Sequence, residues 1–312
     1  MAANTTHRNH NITGEDDEMP VPASHCIPWL FVHITECLAI AIFNIITIIV
    51  FVKQRKQLQR RSTYLIIHLA VVDLLAGAVS GPLQIEWRMA KFCQLWNFNL
   101  DISLLRLKAA LGFFPVASLI NLAVVSLERL HATFCPFNHR FMANWVYGAS
   151  IIVFWVIIAS MQATEQLIVS NNLSYYIFYF LCFFIPLFTI LISYASIFFK
   201  VRYCRHLQHL GAAVQRDRKL TRTLFLVTLG SLFTWLPLIT YQCLLIFHPE
   251  LHITFESEFH VDMLWQTILL SNSLINPIIY AMRMPELRAG ILQYFRRNSN
   301  HVNPLDLPLH DI

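Results

Sequence analysis

Seven apolar runs, each long enough to cross a lipid bilayer as a helix, dominate the sequence. A helix needs about 20 mostly apolar residues to span the hydrocarbon core of a membrane. The chain is 56% hydrophobic and only 13% charged, which leaves little material for a separate soluble domain. The expected fold class is therefore an all-α membrane protein, a seven-transmembrane helix bundle. The runs cover residues 29–52, 64–86, 100–127, 145–169, 175–199, 223–247 and 259–282.

The Lys and Arg residues indicate how these runs are oriented. Of the 23 basic residues, eighteen fall on one side of the predicted membrane and five on the other. Cytoplasmic loops carry the excess of Lys and Arg in membrane proteins. The amino terminus is therefore expected outside the cell and the carboxyl terminus inside, in a multi-pass protein of the plasma membrane.

Three glycosylation sequons agree with this topology, because sugars are added only on the lumenal face. They begin at Asn4 and Asn11, in the amino-terminal tail, and at Asn172, in the loop before the fifth run. Residues 1–28 are polar and acidic and contain no apolar core before a cleavage site. We expect them to form a short extracellular glycosylated tail rather than a signal peptide.

The segment after the seventh run is amphipathic. Leu287, Ile291, Leu292 and Phe295 fall at helical spacing on one face, with arginines beside them. This pattern predicts a short eighth helix lying on the inner leaflet; the alternative is a disordered tail. The predicted divisions after the outer tail are a transmembrane domain at 29–282, an interfacial helix at 283–297 and a cytoplasmic tail at 298–312.

Several polar side chains lie inside the apolar runs, where a charged group costs about 2.5–3.5 kcal/mol on insertion scales. Asp73 is the only carboxylate near the middle of a run. The cost of burying a lone carboxylate cannot be offset by a hydrogen bond within its own helix. The hypothesis is a mid-membrane cluster centred on Asp73, around water, a proton or a sodium ion. The alternative, about equally good for Asn121, is local hydrogen bonding between helices. The predicted cluster comprises Asn44, Asp73, Ser118, Asn272 and Ser273, and no other metal or cofactor is expected.

Prolines form a second pattern inside the runs, at Pro82, Pro115, Pro186, Pro237 and Pro277. Proline removes a backbone hydrogen bond and kinks a helix. Such kinks serve either as hinges or only for packing, and we favour hinges where a large or polar residue precedes the break, as at Pro237 and Pro277.

These residues, in their order and spacing, resemble the rhodopsin-like family of G-protein-coupled receptors over nearly the whole chain. The motifs that carry the resemblance are Asn44 in the first run, Leu69 to Asp73 in the second, Glu128-Arg129-Leu130 with Pro136 in the third and the loop after it, Trp155 in the fourth, Pro186 and Tyr194 in the fifth, Trp235-Leu236-Pro237 in the sixth, and Asn276-Pro277-Ile278-Ile279-Tyr280 in the seventh. A weaker similarity points to the melanocortin, cannabinoid, lysophospholipid and adenosine receptor group.

The resemblance implies a mechanism. Ligand bound among the outer halves of the helices would favour outward movement of the sixth helix about Pro237, opening an inner cleft for a G protein. Arg129 would be held in the inactive state by Glu128 and Asp217, and Phe137 would dock into the G protein. The residues implied in coupling and switching are Glu128, Arg129, Pro136, Phe137, Tyr194, Asp217, Trp235, Pro237, Asn276, Pro277 and Tyr280. The resemblance also implies that the Asp73 cluster binds sodium.

The sequence departs from the family pattern at several positions. Leu104 stands where the family has the cysteine of its outer disulfide, and the second outer loop contains no cysteine. Cys26, Cys93 and Cys243 lie near the outer side and form either a substitute bridge or free thiols. Leu130 replaces the tyrosine of the third-helix motif, and Ser231 replaces a sixth-helix phenylalanine, with Phe233 nearby.

The sequence argues against two classes of ligand, amines and retinal, without identifying one. Leu111 stands where amine receptors carry an aspartate, and the seventh run has no lysine to hold retinal. A peptide or a lipid is therefore favoured over an amine, with neither ranked first. The expected pocket residues, for which ordinary helix packing is the alternative, are Glu86, Lys108, Leu111, Phe114, Trp235 and Trp265.

The resemblance implies a receptor without enzymatic activity, with an extracellular ligand, a heterotrimeric G protein, arrestin and the lipid bilayer as partners, and no nucleic acid. One alternative is a degenerate member of the family that binds without signalling. A transporter or channel using Asp73 as its ion site is much less favoured, because the two halves of the chain show no repeat.

Overall fold

Seven long helices make up nearly all of the chain that the computed structural model describes, namely residues 19–53, 63–95, 114–168, 172–203, 212–247, 254–283, 288–290 and 292. A short helix, Pro136–Phe141, follows the third of them, and no strand occurs within these ranges. In chain order the long helices are α1 (Ala23–Lys53), α2 (Thr63–Cys93), α3 (Phe114–Phe134), α4 (Asn144–Ile168), α5 (Asn172–Tyr203), α6 (Ala212–Phe247) and α7 (Phe255–Arg283).

The bundle is built around α3, whose residues 115–123 are all buried. It packs against α2 and α5 most extensively, while α1 packs against α2 and α7, and α6 packs against α7. By contrast α4 exposes an apolar face that includes Ile152, Val153 and Val156. An exposed apolar face of this kind suits contact with lipid tails rather than water.

Four helical segments are long and apolar enough, by length and composition, to cross a membrane: Ala23–Lys53, Thr63–Cys93, Asn144–Thr164 and Phe180–Lys200. Two of the remaining long helices, α3 and α7, carry polar side chains through their middles, at Ser118 and Asn121 and at Asn272 and Asn276. These side chains lower the hydropathy of both helices, and they turn inward, where they are buried in the bundle.

A π-helical turn interrupts α2 at Ala76–Ser80, immediately before Gly81 and Pro82. Proline cannot donate the backbone hydrogen bond that a regular helix needs, and a π turn is one way to accommodate the break. On the same turn Gly77 lets α1 approach closely, because an ideal Cβ there would lie 2.5 Å from Ile40 Cγ2. The break in α2 therefore also brings α2 close to α1.

The helices extend beyond several of the predicted runs. α1 begins at Ala23 rather than at residue 29, α6 begins at Ala212 rather than at residue 223, and α5 begins at Asn172. The prediction that Asn172 lies in a loop is therefore wrong, since its sequon forms the first turn of α5. Apolar runs underestimate helix length because polar turns continue a helix into the interface, where water satisfies the side chains.

Other predictions fall on residues that the structure does not describe. Of the eighth helix, only residues 288–290 and 292 are described, and these are helical. Asn4, Asn11 and the tail at 298–312 lie outside the described residues.

Candidate functional site

Asp73 is fully buried in the middle of the bundle and receives two hydrogen bonds. The Ser118 hydroxyl on α3 donates to Oδ1 of Asp73 at 2.7 Å, and the Asn276 amide on α7 donates to Oδ2 at 2.7 Å. Hydrogen bonds to a charged acceptor are stronger than neutral ones and offset part of the cost of burial. The structure thus brings together the carboxylate, α3 and the seventh-helix motif.

Weaker contacts extend this cluster to α6 and α1. Asn272 donates to the Ser118 hydroxyl and accepts from Thr234 of α6, each at 3.5 Å. Asn44 of α1 donates to the backbone carbonyls of Ser273 and Ile40, at 3.2 and 2.9 Å. The expected residues therefore meet, although Asn44 bonds the backbone of α7 rather than Asp73, and Thr234 is a member that the sequence analysis did not identify.

The cluster fits a small hard cation. The Asp73 carboxylate lies together with buried side-chain oxygens of Asn44, Ser273 and Asn276. These three oxygens have no hydrogen-bond partner among the described residues. Oxygen ligands and a carboxylate are what hard cations prefer. The residues present are therefore compatible with the predicted sodium ion, whose positive charge the Asp73 carboxylate would balance.

The inner end of α3 holds Arg129 in a buried ion pair. Arg129 bonds the neighbouring carboxylate of Glu128, and the two side chains are only 2% and 7% exposed. Glu128 also contacts Nε2 of His139, at 2.7 Å, and the Tyr147 hydroxyl, at 3.4 Å. Glu128 is therefore fixed from three sides, by its neighbour in α3, by the short helix and by α4.

His139 and Tyr147 were not identified from the sequence. His139 lies three residues after Pro136, which is the only local signal, and its direction depends on how the short helix folds back on α3. Tyr147 comes from another helix, so its proximity to Glu128 is visible only in the folded bundle. The side chain of Asp217, the other expected partner of Arg129, lies outside the described residues.

The remaining coupling residues are placed as follows. Tyr194 is buried against Phe225, and Tyr280 packs edge-on against Phe51, with ring centroids 5.4 and 6.2 Å apart. The Tyr280 hydroxyl has no hydrogen-bond partner among the described residues. Phe137 on the short helix is 80% exposed, as a docking side chain must be.

Trp235 is buried in α6, two residues before Pro237. Its ring contacts Phe183 of α5, with centroids 5.0 Å apart, and it lies beside Thr234 of the Asp73 cluster. Phe233 is 82% exposed and points away from the bundle, so it does not replace the phenylalanine missing at Ser231. The Ser231 hydroxyl instead bonds the Val227 carbonyl of its own helix, at 3.1 Å.

Asn121 belongs to a separate contact between helices. Its Oδ1 lies 3.2 Å from Nδ1 of His68 on α2, and the His68 ring packs edge-on against Phe154 and Trp155 of α4. The alternative of local hydrogen bonding is therefore the correct one for Asn121. The sequence analysis missed His68, which its position in an apolar run could have indicated.

The predicted pocket residues are only partly brought together. Glu86 and Trp265 are half-buried at the outer ends of α2 and α7, and Trp235 lies deeper. Phe114 packs edge-on against Trp155 of α4, at 6.4 Å between centroids, so helix packing explains it better than a pocket does. Lys108 and Leu111 lie outside the described residues.

The outer ends of α1, α2 and α7 are joined by a disulfide and two ion pairs. Cys26 and Cys93 form the disulfide, which settles the open question of their state. Arg88 and Lys91 of α2 bind Asp262 and Glu258 of α7, at 2.6 and 2.9 Å. The side chain of Cys243 lies outside the described residues.

The sequence matches the family model described as 7 transmembrane receptor (rhodopsin family), over residues 43–174 and 160–280. Individual relatives are distant. The adenosine receptor A3 of Canis lupus familiaris is 24% identical over 86% of this chain and 91% of its own length. The human histamine H2 receptor is 24% identical over 88% and 82% of the two chains, and the green-sensitive opsin of Oryzias latipes is 26% identical over 80% and 76%.

These relatives are similar to the chain to nearly the same degree, although their names refer to adenosine, histamine and green light. Their identities of 24 to 26% extend over most of the helical bundle. The similarity therefore supports a shared architecture and coupling machinery, and it does not single out a ligand.

Proposed function

The chain belongs to the rhodopsin family of seven-transmembrane receptors, and from this membership we propose how it transmits a signal. It is a G-protein-coupled receptor, a multi-pass protein of the plasma membrane that responds to an extracellular ligand and activates a heterotrimeric G protein, and it is not an enzyme. The proposed switch is the Asp73 cluster, which connects a ligand site among the outer helix halves to Arg129 at the inner side.

The observation that carries this proposal is the line of buried polar contacts across the bundle. It runs from Thr234 on α6 through Asn272 and Ser118 to Asp73, and from there to Asn276 on α7. The contact between Thr234 and Asn272 at 3.5 Å is weak, so a small movement of α6 is enough to break it. Because Thr234 precedes Trp235, a ligand that displaces this tryptophan also perturbs the polar line.

The inner end supplies the output of the switch. Arg129 is held by Glu128, which is itself anchored by His139 and Tyr147. Outward movement of α6 about Pro237 would make room for Arg129 to separate from Glu128 and contact the G protein. The buried hydroxyl of Tyr280 could then accept a hydrogen bond from Arg129. This is a shift between two arrangements of the bundle that differ in their contacts.

A sodium ion is part of the proposal. The Asp73 carboxylate, the Ser118 hydroxyl and the unpaired oxygens of Ser273 and Asn276 would hold it, and the ion would compensate the buried negative charge. The arrangement of α3 and α7 around Asp73 would then favour the inactive bundle, because the ion attracts oxygens from both helices.

For the ligand we favour a peptide or a lipid over an amine, because Leu111 offers no carboxylate for an ammonium group. The structure weakens the case for attraction of a strongly basic peptide, since Glu256, Glu258 and Asp262 are already paired with His25, Lys91 and Arg88. Glu86 is the acidic residue among the expected pocket positions.

The proposed topology has the amino terminus outside. The disulfide between Cys26 and Cys93 supports it, because such bonds form and persist in the oxidising extracellular environment. The same end of the bundle carries Asn172 at the start of α5. The opposite end, with Arg129 and Phe137, would face the G protein and, after activation, arrestin.

The test is guanine-nucleotide exchange on a panel of G proteins, in membranes that contain the chain at a known surface density. The wild type is expected to raise exchange on at least one G protein above membranes without it, and Arg129→Ala to abolish the rise. The matched control is Lys53→Ala, which removes one positive charge at the inner end of α1, away from the α3–α6 cleft. Absence of exchange on every G protein, with normal surface density and with a ligand shown to bind, would support the degenerate receptor instead.

A further inference from the structure

Three metal-ligating side chains meet at the outer ends of α1 and α7. They are His25 of α1 and Glu256 and His260 of α7, and their ligand atoms all lie within 4.8 Å of one another. His25 Nδ1 is 2.6 Å from Glu256 Oε1, and the centroids of the two imidazole rings are 5.5 Å apart. Glu256 and His260 are four residues apart on one helix, so both project from the same face.

The chemistry of this set is that of a zinc site. Two imidazoles and one carboxylate are a familiar protein ligand set for Zn²⁺, with a fourth tetrahedral position left to water. Imidazole is a poor ligand for hard cations such as Ca²⁺ and Mg²⁺, which select oxygen. Bound to one metal ion, the His25 nitrogen and the Glu256 oxygen would separate to about 3.3 Å, which follows from bond lengths of about 2.0–2.1 Å in tetrahedral geometry.

The surrounding contacts hold both sides of this cluster in place. The Cys26–Cys93 disulfide anchors the residue next to His25 to α2, and α2 is joined to α7 through Arg88 and Asp262. The site is also reachable from outside, because the side chains of His25 and Glu256 are 46% and 51% exposed.

From this arrangement we propose that the chain binds one Zn²⁺ ion through His25, Glu256 and His260, clamping α1 to α7 at the extracellular face. A ligand that binds the folded chain and not the unfolded one raises the free energy of unfolding by an amount that grows with the logarithm of its free concentration above the dissociation constant. Zinc is thus expected to stabilise the receptor. This site is independent of G-protein activation, so its failure would leave the proposed signalling role untouched.

Trp29 provides an internal check on the proposal. Its indole N–H donates to Nδ1 of His260 at 3.0 Å. A neutral imidazole has only one nitrogen lone pair, which cannot both accept from Trp29 and bind a metal. Zinc must therefore displace this hydrogen bond, and Trp29→Phe is expected to bind zinc more tightly than the wild type.

The experiment is a titration of the purified full chain with ZnCl₂, following its thermal midpoint, with EDTA, CaCl₂ and MgCl₂ as comparisons. Wild type is expected to show a thermal midpoint that keeps rising with zinc concentration, and to show this rise with zinc alone among the three metal ions. His25→Ala, His260→Ala and Glu256→Gln are each expected to weaken zinc binding by more than about tenfold. Glu256→Gln changes one exposed atom, so it keeps a folded variant available for the comparison.

The matched control is Glu258→Gln, which removes a carboxylate two residues away that binds Lys91 instead of the cluster. It is expected to retain the zinc-dependent rise. No rise in the wild type, an unchanged rise in the three ligand variants, or an equal loss in Glu258→Gln would each overturn the assignment.

Discussion

At the scale of single residues, the burial of Asp73 carries a large energetic cost. A charged carboxylate buried completely among helices requires compensation, and Ser118 and Asn276 supply two hydrogen bonds. Two neutral donors leave its charge in place, and the unpaired oxygens nearby attract a cation rather than another anion. The composition of the cluster is therefore compatible with the sodium ion proposed above.

This leads to a prediction for Asp73→Asn. The wild type is expected to lose thermal stability when sodium is replaced by a large organic cation at the same ionic strength, because the large cation cannot enter the cluster. Asp73→Asn removes the charge and should be insensitive to that exchange. Thermal unfolding in the two salts measures both, and equal sensitivity of the variant and the wild type would count against sodium at this site.

A second residue-scale prediction concerns Phe137. It is 80% exposed on the short helix, and Phe141 on the same helix is 82% exposed, which makes the two a matched pair. Apolar anchors at an interface are commonly worth about 2 kcal/mol or more when truncated to alanine. Phe137→Ala is expected to reduce nucleotide exchange at least about tenfold, whereas Phe141→Ala should leave it within about twofold. Equal effects of the two changes would contradict a specific docking role.

Sequence motifs identified most residues of the polar site, and there are physical reasons why they missed the others. Asp73, Ser118 and Asn272 were predictable as a group because each is a polar residue inside an apolar run. His139, Tyr147 and Thr234 were not, because histidine near a loop, tyrosine near an interface and threonine within a helix are ordinary. Their roles depend on which neighbour the fold provides.

At the scale of helices, α2 is the element whose local irregularity has the clearest packing consequence. Its π turn at Ala76–Ser80 carries Gly77 against α1, where Ile40 Cγ2 and Cβ would lie 2.5 and 2.8 Å from an added Cβ. Ile40 is completely buried and has little freedom to move aside. The contact therefore depends on the absence of a side chain at Gly77.

Gly77→Ala is accordingly expected to destabilise the bundle by about 1–3 kcal/mol, the usual cost of overpacking. Gly148 of α4 is the control, since a Cβ there would meet nothing within 4 Å. Gly148→Ala should be neutral or stabilising by up to about 1 kcal/mol, because alanine favours a helix more than glycine does. Denaturation midpoints in the same detergent measure both changes. A loss of stability in Gly148→Ala as large as in Gly77→Ala would refute the steric explanation.

The disulfide gives a second prediction at this scale. Cys26 and Cys93 are 67 residues apart in the chain, and their bond ties α1 to α2 at the outer side. Replacing both by serine is expected to lower stability by about 2–4 kcal/mol. Cys135→Ser, at an exposed free cysteine, is the control and should change little. If the double variant unfolded at the same temperature as the wild type, the ion pairs alone would be enough to hold these helices together.

The number and order of the helices could be predicted from the sequence, because the hydrocarbon thickness of a membrane sets the length of an apolar run. The outer disulfide could not, since the sequence left Cys26, Cys93 and Cys243 as either bridged or free, and only the fold brings Cys26 within reach of Cys93. Helix ends were also misjudged, as at Asn172, because nothing in a polar turn distinguishes a helix that continues from a loop that begins.

At the scale of the whole molecule, the outer and inner ends are built differently. The outer ends of α1, α2 and α7 are tied by a disulfide, two ion pairs and the cluster around His25. The inner end holds Arg129 by side-chain contacts alone, without covalent bonds among the described residues. A bundle fixed at one end and held by polar contacts at the other is suited to open at the inner side.

The decisive measurement is therefore the distance across the inner end, between spin labels at Arg222 of α6 and Trp145 of α4, both exposed. It should be made on the receptor alone and with nucleotide-free G protein bound. The proposed mechanism predicts a longer distance in the complex, and no lengthening when Arg129→Ala prevents coupling. An unchanged distance in a receptor that still drives nucleotide exchange would contradict it.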